Sequence, residues 1–200
     1  MLVMVTGLSA CADGQPSTQG VEASARAATL ARIEGIYEMT AYSENLASCD
    51  GEGASKLADR SERMFVIAAS PGNQFAVAQL KTCRTMEECS ARLQNEMASA
   101  EEILPFAAIV DDRLTGPWVT TGFSRDGACK DALSGKLSAV ADGDGVKVER
   151  RGVRHDYAAD SRGMCSTDVA RDRADGKPCN DLMTIRGKRV ASLKGDAAQE

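Results

Sequence analysis

The sequence is poor in the residue types that carry out most enzyme chemistry. It contains one histidine, His155, among 200 residues, and aromatic side chains make up only 4% of the chain. A Ser-His-Asp arrangement would have to use that imidazole, with Asp156 or Asp160, its neighbours in sequence, as the acid, and no G-x-S-x-G motif supplies a serine. A lone histidine on a strand between charged residues is more often structural. The sequence therefore predicts a protein that is not an enzyme.

The chain also lacks the spacings typical of metal ligands. It has no C-x-x-C pair, which structural zinc sites commonly use. The segment Asp142-Gly143-Asp144-Gly145 begins like a calcium loop, but the twelfth position from Asp142 is Val153, where an EF-hand requires glutamate. A tight turn between strands is the better interpretation, and Asp50-Gly51-Glu52-Gly53 is interpreted as a solvated, flexible loop. We expect no metal and no other cofactor.

Positive charge is neither abundant nor clustered. The chain carries 24 Lys and Arg against 29 Asp and Glu, for a net charge of −5, and the basic residues are scattered. Without a basic cluster interleaved with aromatic residues, no surface is suited to tracking phosphates, so nucleic acid is not an expected partner. After position 11, no apolar run approaches the roughly 20 residues that a membrane-spanning helix needs.

A short apolar N-terminal stretch, Met1–Val5, is followed by Leu8-Ser9-Ala10-Cys11. This tetrapeptide resembles the lipobox of bacterial lipoproteins, a family in which a peptidase cleaves before the cysteine, which then carries the acyl chains. The resemblance implies lipidation of Cys11 and anchoring to a bacterial cell-envelope membrane on its extracytoplasmic side. No Lys or Arg precedes the apolar run, so we expect the true start codon to lie upstream or the sequence to be truncated.

The cysteine count supports export. Setting Cys11 aside leaves an even number, which suits three disulfides in an oxidising compartment. Each bridge would contribute about 2–4 kcal/mol, mainly by restricting the unfolded chain. The six candidates are Cys49, Cys83, Cys89, Cys129, Cys165 and Cys179.

The spacing of these cysteines suggests, without fixing, their connectivity. The favoured pair is Cys165–Cys179, because a short helical stretch and the turn Gly176-Lys177-Pro178 lie between them and allow the chain to fold back. Cys83–Cys89 and Cys49–Cys129 complete this set. Cys49–Cys83 is a competing pairing that the sequence leaves open.

The pattern of apolar residues predicts a mainly β fold of about eight strands. Turn signals between these segments favour hairpins, and hence an antiparallel sheet. Pro105 suits an edge strand or a bulge. The predicted strands are Ile36–Ser43, Met64–Ala69, Phe75–Thr82, Ile103–Val110, Leu114–Ser124, Lys130–Ala141, Val146–Tyr157 and Leu182–Val190.

One long helix is expected after Thr85. Thr85 and Glu88 have the spacing of a capping box, in which the threonine hydroxyl and the glutamate bond backbone amides at the helix start. An apolar stripe would then face the sheet and bury the Cys89 thiol. The stripe consists of Met86, Cys89, Leu93, Met97 and Ala100.

The last long predicted hairpin strand changes its apolar face. Val146 and Val148 share one parity, whereas Val153 and His155 share the other, and a bulge at Arg151-Gly152 would restore a single inward face. Bulges of this kind are typical of strongly curved sheets and closed barrels, which hide their edges. The sequence thus predicts a disulfide-stapled, strongly curved antiparallel sheet or closed barrel.

At the first strand, Gly35-Ile36-Tyr37 is similar to the G-x-W signature of lipocalins, with tyrosine in place of tryptophan. The likeness covers three residues, and a helix between the early strands departs from the lipocalin plan. It implies a barrel architecture. It also implies the possibility of a carrier for a small apolar ligand, in a void lined by residues such as Phe65, Phe75 and Trp118.

Four segments follow from these patterns. Residues 1–10 form a signal peptide; residues 11–33 form a lipid anchor and flexible tether, with a short helix near Glu22–Arg32; residues 34–195 form a single β-rich domain; and residues 196–200 form a tail. The expected function is a non-catalytic envelope lipoprotein that binds a protein partner or has a structural role. The alternative is the lipocalin-like carrier.

Overall fold

The computed structural model describes residues 18–71, 73–94, 99–123, 129–157 and 166–193. It contains helices and strands in nearly the predicted order. The helices are α1 (Thr18–Ile33), α2 (Met86–Gln94) and α3 (Thr167–Ala174), with a 3-10 turn at Leu57–Asp59. The strands are β1 (Gly35–Asn45), β2 (Ala54–Ser55), β3 (Met64–Ala69), β4 (Ala78–Cys83), β5 (Ile103–Phe106), β6 (Ala108–Val110), β7 (Arg113–Phe123), β8 (Cys129–Asp142), β9 (Gly145–Asp156) and β10 (Asp181–Ala191).

All ten strands belong to one antiparallel sheet. Its order is β5-β4-β3-β1-β10-β9-β8-β7-β6, and β2 pairs with β1. The sheet curls until its two ends meet, because a Cβ on Gly116 of β7 would lie 3.0 Å from the Pro105 carbonyl oxygen and the Ala107 amide nitrogen. Only glycine permits this approach. The predicted mainly β, nearly closed, antiparallel barrel is therefore confirmed.

The strand count exceeds the expected eight for two local reasons. The predicted strand Ile103–Val110 is divided at Ala107, so that β5 and β6 lie at opposite ends of the sheet order although a single residue joins them. Pro105 lies on β5, the terminal strand, where a missing backbone donor costs little. The short strand β2 adds the tenth member.

Strand β9 shows that the predicted bulge at Arg151-Gly152 is wrong. Its pairing with β8 runs without a shift from Asp131↔Asp156 to Asp142↔Gly145. The inward face continues after Val148 with Arg150, Gly152 and Arg154, because acidic residues inside the barrel neutralise the two arginines. The register shifts lie instead in β1, between Ile36 and Tyr37 and between Met39 and Ala41, and where β7 meets β8, between Gly122 and Phe123.

The apolar core fills the barrel towards the end at which β1 begins. Tyr37 and Phe65 stack with ring centroids 5.1 Å apart and planes inclined by 11°. Gly187 of β10 makes room for this stack, since a Cβ there would lie 2.4 Å from the Phe65 ring. Fully buried aliphatic and aromatic side chains from six further strands complete the core, among them Leu80, Leu104, Phe106, Leu114, Leu137 and Ile185.

Helix α1 packs against the same end of the barrel. It is longer than the predicted Glu22–Arg32, and Ile33 and Thr29 near its C-terminus are buried. Thr29 donates a hydrogen bond to Asp112 at 2.9 Å, and Tyr37 donates one to the Ile33 carbonyl at 2.5 Å. The helical residues that the sequence assigned to the tether are therefore in contact with the sheet.

Helix α2 begins as predicted but presents a different face to the sheet. The Glu88 amide donates to the Thr85 hydroxyl at 3.2 Å, and the Glu88 carboxylate accepts from the Arg84 amide at 2.8 Å. Cys89 is buried, but Met86 and Leu93 of the predicted stripe are 39% and 36% exposed. Arg92 is buried in their place because buried and half-buried carboxylates receive it. Met97 lies outside the described residues.

Candidate functional site

The end of the barrel opposite α1 has a charged interior, which we call the polar end. Its centre is an ion-pair cluster defined by Arg150 and Arg154 of β9, Asp181 of β10 and Asp131 of β8. Arg150 donates to one Asp181 oxygen at 3.0 Å, and Arg154 donates to the other at 2.8 Å. Arg154 also donates to Asp131 at 3.1 Å. One fully buried carboxylate thus holds two guanidinium groups.

The sequence places these four side chains together by register. Gly152 of β9 is paired with Asp181 on one side and Gly135 on the other, so Arg150 and Arg154 flank the same inward row. Asn180, just before β10, accepts from the Arg154 amide at 2.6 Å and donates to its carbonyl at 2.9 Å. Although burial lowers the pKa of Arg154, its hydrogen bond to Asp181 and the charges of Asp181 and Asp131 raise it above its ordinary value.

A row of small residues lies across the barrel wall beside this cluster. Trp118 of β7 is paired with Gly135, and Gly135 with Gly152. A Cβ on Gly135 would lie 2.6 Å from the Gly152 Cα, so no larger residue fits this crossing. The Trp118 indole nitrogen and the Arg150 Nε are buried and make no hydrogen bond within the described part of the chain. One of these two donors belongs to the ion-pair cluster, and the other lies in the row of residues beside it.

A second polar group lies around Tyr42 at the same end. Its hydroxyl donates to Glu44 at 3.0 Å and to Glu102 at 3.2 Å, and the Arg60 guanidinium stacks 4.6 Å from the ring centroid. Arg60 in turn contacts Glu101 at 2.9 Å. Burial raises the pKa of Tyr42, and the carboxylates of Glu102 and Glu44 raise it further. The phenol therefore stays protonated and acts as a hydrogen-bond donor.

A third group connects α2 to the sheet through Glu62. This carboxylate is almost fully buried and accepts from Arg92 at 2.8 Å, from Thr82 at 2.5 Å and from the Glu101 amide at 2.8 Å. Burial alone would raise the pKa of Glu62, but the hydrogen bonds from Arg92, Thr82 and Glu101 lower it below its ordinary value. The Glu62 carboxylate is therefore held in its ionised form and accepts hydrogen bonds from these three donors. This arrangement is suited to holding structure and not to accepting a proton.

The cysteines give one pairing as predicted and overturn two. Cys83–Cys89 is formed, with Cα atoms 5.3 Å apart, and joins the end of β4 to α2. Cys49 pairs with Cys179, with Cα atoms 5.6 Å apart, so the predicted Cys165–Cys179 and Cys49–Cys129 bridges are wrong, as is the competing Cys49–Cys83. Cys129 is also disulfide-bonded. Cys11 and Cys165 lie outside the described residues.

The position of the Cys49–Cys179 bridge shows why spacing in the sequence predicted the wrong partner for Cys179. The loop after β1 folds back over the sheet, where Arg151 donates to the Cys49 carbonyl at 2.8 Å and Arg186 contacts Glu52 at 2.6 Å. The segment Asp50–Gly53, interpreted from the sequence as a solvated, flexible loop, is mostly exposed, but it follows the bridged Cys49 and its Glu52 is ion-paired. Sequence proximity favoured Cys165 for Cys179, but the β1–β10 pairing ends at Asn45 and Leu182 and so brings Cys49 to Cys179.

The remaining residues considered for catalysis or metal binding, where the structure describes them, have surroundings that suit a structural role. The partly exposed His155 ring lies edge-on to Tyr157, with centroids 4.8 Å apart, and makes no hydrogen bond to the residues that the structure describes. Asp160 lies outside those residues. Asp142 and Gly145 pair across a tight β8–β9 turn with Gly143 at φ +60°, and Asp142 contacts Arg186. The described ranges contain no group of three or more His, Cys, Asp or Glu suited to a metal.

The three aromatic residues expected to line a ligand void do not do so together. Phe65 is fully buried in the packed core, and Trp118 packs at its margin. Phe75 is 77% exposed, because the strand predicted from Phe75 begins only at Ala78. Sequence reasoning missed the charged interior because apolar periodicity does not register inward-facing charged residues such as Arg150 and Arg154. Their spacing of two and six residues from Val148, which places them on the same face of the strand, was the available signal.

Comparisons with known proteins add no relative, since no family model, curated protein or solved structure matches this chain. Among the residues described, no helix is both long and apolar enough to cross a bilayer.

Proposed function

We propose that this protein is a lipid-anchored, non-catalytic protein of the bacterial cell envelope, whose disulfide-bonded barrel domain binds a protein partner or serves a structural role. The observation that carries the proposal is the filled interior. At one end large apolar side chains pack together, and at the other the charged side chains are paired with one another. A barrel filled by its own side chains is a rigid scaffold with its outer surface and loops available for binding.

The disulfides support placement outside the cytoplasm. Cys49–Cys179 and Cys83–Cys89 both fix irregular connections onto the sheet. Such bridges persist in oxidising compartments and are rare in the cytosol. The lipobox-like segment Leu8–Cys11 resembles an export signal, which is consistent with disulfide formation outside the cytoplasm.

The state of the charged groups supports a non-catalytic role. A general base needs a free acceptor within reach of a substrate proton. Asp181 and Glu62 are buried carboxylates with cationic partners at 3.0 Å or less. Both carboxylates connect neighbouring elements of the fold, and each is engaged by hydrogen-bond donors of the chain itself.

The test begins with the anchor. The complete gene, expressed in a bacterial host and labelled with radioactive palmitate, should yield a labelled protein in the membrane fraction. Cys11→Ala should lose both the label and the membrane location, whereas Cys83→Ser/Cys89→Ser, which removes one complete disulfide and leaves no unpaired partner, serves as the cysteine control that keeps them. A labelled Cys11→Ala protein, or an unlabelled native protein in the cytosol with free thiols, would contradict the proposal.

The binding role has its own measurement. Cross-linking in intact cells should join the native protein to a defined partner or to the envelope scaffold, and gentle detergent extraction should recover that species by mass spectrometry. The carrier alternative predicts instead a small apolar molecule bound to protein purified from its host. Native mass spectrometry that shows such an adduct in stoichiometric amount would favour the carrier over the scaffold.

A further inference from the structure

Three exposed apolar side chains lie at the α1 end of the barrel, and we call them the apolar rim: Phe75, Val77 and Val110. Their exposed fractions are 77%, 38% and 49%. Their exposure is fixed by backbone bonds, because the Phe75 amide donates to the Asn73 side chain at 2.8 Å and the Val77 amide donates to the Phe106 carbonyl at 2.7 Å. A rigidly presented phenylalanine at a loop tip is suited to insertion into an apolar medium.

The loop that carries Phe75 and Val77 is joined to the β5–β6 link that leads to Val110. Val77 is bonded to Phe106, and Phe106 precedes Val110 by four residues, a separation of at most about 14 Å. The rim therefore occupies one side of the barrel end, where β5 passes into β6.

The N-terminal half of α1 lies against the same side. Glu22, Ala25 and Thr29 of α1 line a groove of about 170 Å³ whose other wall is Ile109 and Asp111, the two residues that flank Val110. Cys11 precedes the first residue of α1, Thr18, by seven positions, a reach of at most about 24 Å. A lipid on Cys11 would therefore enter the membrane close to the apolar rim.

We propose that the apolar rim rests in the surface of the lipid bilayer that holds Cys11, with Phe75 in the boundary between headgroups and acyl chains. The proposal rests on the anchoring described under the proposed function. The nearby charges are mixed in sign and favour a zwitterionic phospholipid surface, because Asp112 is offset by Arg32 at 2.9 Å and the exposed Asp111 lies two positions before the exposed Arg113. In this orientation the polar end faces away from the membrane.

The single tryptophan makes the orientation measurable. In a Trp118→Phe background, Phe75→Trp places a fluorophore on the rim, and Leu46→Trp places a matched one at the opposite end, where Leu46 is 59% exposed. The full-length lipidated proteins are reconstituted into phosphatidylcholine vesicles with and without brominated acyl chains, and vesicle flotation measures attachment. We expect brominated lipid to quench the Phe75→Trp emission at least twofold and to leave the Leu46→Trp emission unchanged.

The outcomes separate this inference from the anchoring itself. Vesicle attachment with equal quenching, or none, at the two positions overturns the membrane orientation and leaves the anchor intact. Failure of the lipidated protein to float with vesicles overturns the proposed function. A blue shift of the Phe75→Trp emission that depends on protein concentration and needs no lipid assigns the rim to a second copy of the chain and also overturns the proposal. A Phe75→Ser protein that attaches through Cys11 but dissociates several-fold faster supports it.

Discussion

The two ends of this barrel are built from the same strands but are stabilised by different interactions. At the α1 end the interior is an apolar core around the Tyr37–Phe65 stack. At the polar end, the same strands direct charged side chains inward, with Asp181 between Arg150 and Arg154. Burial of apolar side chains stabilises the folded state in proportion to the area removed from water. A buried ion pair, in contrast, leaves an unpaired buried charge that destabilises the folded state when either partner is removed.

The comparison also shows where the chain is cross-linked. The Cys49–Cys179 bridge joins the loop after β1 to the segment before β10, both at the polar end. Buried charges there contribute little net burial energy, so we infer that this end depends on its covalent bridge more than the apolar end depends on any one contact.

The largest expected effect is the loss of that bridge. Cys49 and Cys179 are 130 positions apart, and Cys83 and Cys89 only 6. On the loop-entropy model, Cys49→Ser/Cys179→Ser should reduce the free energy of unfolding by about 4–5 kcal/mol, against about 2 kcal/mol for Cys83→Ser/Cys89→Ser. Urea unfolding of both double variants measures this. Equal losses would contradict the expectation that the bridge closing the longer loop contributes more.

The next largest effect is expected from Asp181→Ala. It leaves Arg150 buried without its carboxylate partner, which should cost about 3–5 kcal/mol of unfolding free energy. The matched control is Arg150→Met/Asp181→Leu, which removes both charges and should recover most of the loss. Guanidinium chloride midpoints compare the three proteins. A double variant as unstable as the single one would refute the view that the penalty comes from the unpaired charge.

The apolar end is tested by Leu80→Ala, a truncation of a fully buried side chain. We expect a loss of about 2–4 kcal/mol from transfer and cavity formation, with the same value in high salt and at low salt. The loss from Asp181→Ala should instead vary with salt. Thermal unfolding at two ionic strengths distinguishes the two ends, and a strong salt dependence for Leu80→Ala would break the comparison.

The smallest effect is a pH dependence from Glu62. Since folding lowers the pKa of Glu62 below its ordinary value of 4.5, its ionised form contributes stability at neutral pH. This contribution is present above pH 4.5 and is lost as the pH falls through the lower folded value. Unfolding free energies from pH 7 to pH 3 should therefore fall less steeply for Glu62→Gln than for the native chain. Parallel curves would contradict a lowered pKa.

The features that followed from sequence are those that local patterns control. The strand Met64–Ala69, the antiparallel order and the start of α2 were each predicted from periodicity or capping and are present in the structure. A search for apolar periodicity registers only apolar residues. It therefore predicted a change of face in β9, because the inward positions after Val148 are occupied by Arg150 and Arg154. Their burial depends on Asp181, 27 to 31 positions away, which no local window includes.

The same reason explains the errors in the cysteine pairing and the missed polar end. Cys179 lies near Cys165 in sequence, but the β1–β10 pairing brings it to Cys49. Arg92 replaced Leu93 on the buried face of α2 because Glu62, 30 positions earlier, receives its guanidinium. In each case a partner distant in sequence decides which side chain is buried.

The single-residue link at Ala107 has a consequence for association between molecules. An open sheet normally offers two long unpaired edges on which a neighbouring chain can add a strand. Here the terminal strands β5 and β6 have only 4 and 3 residues, and Ala107 connects them directly. Neither edge can move outward without moving the other, so these two terminal strands offer a neighbouring molecule little free backbone for strand addition. We expect this continuity to disfavour association through the sheet even where many copies are crowded together.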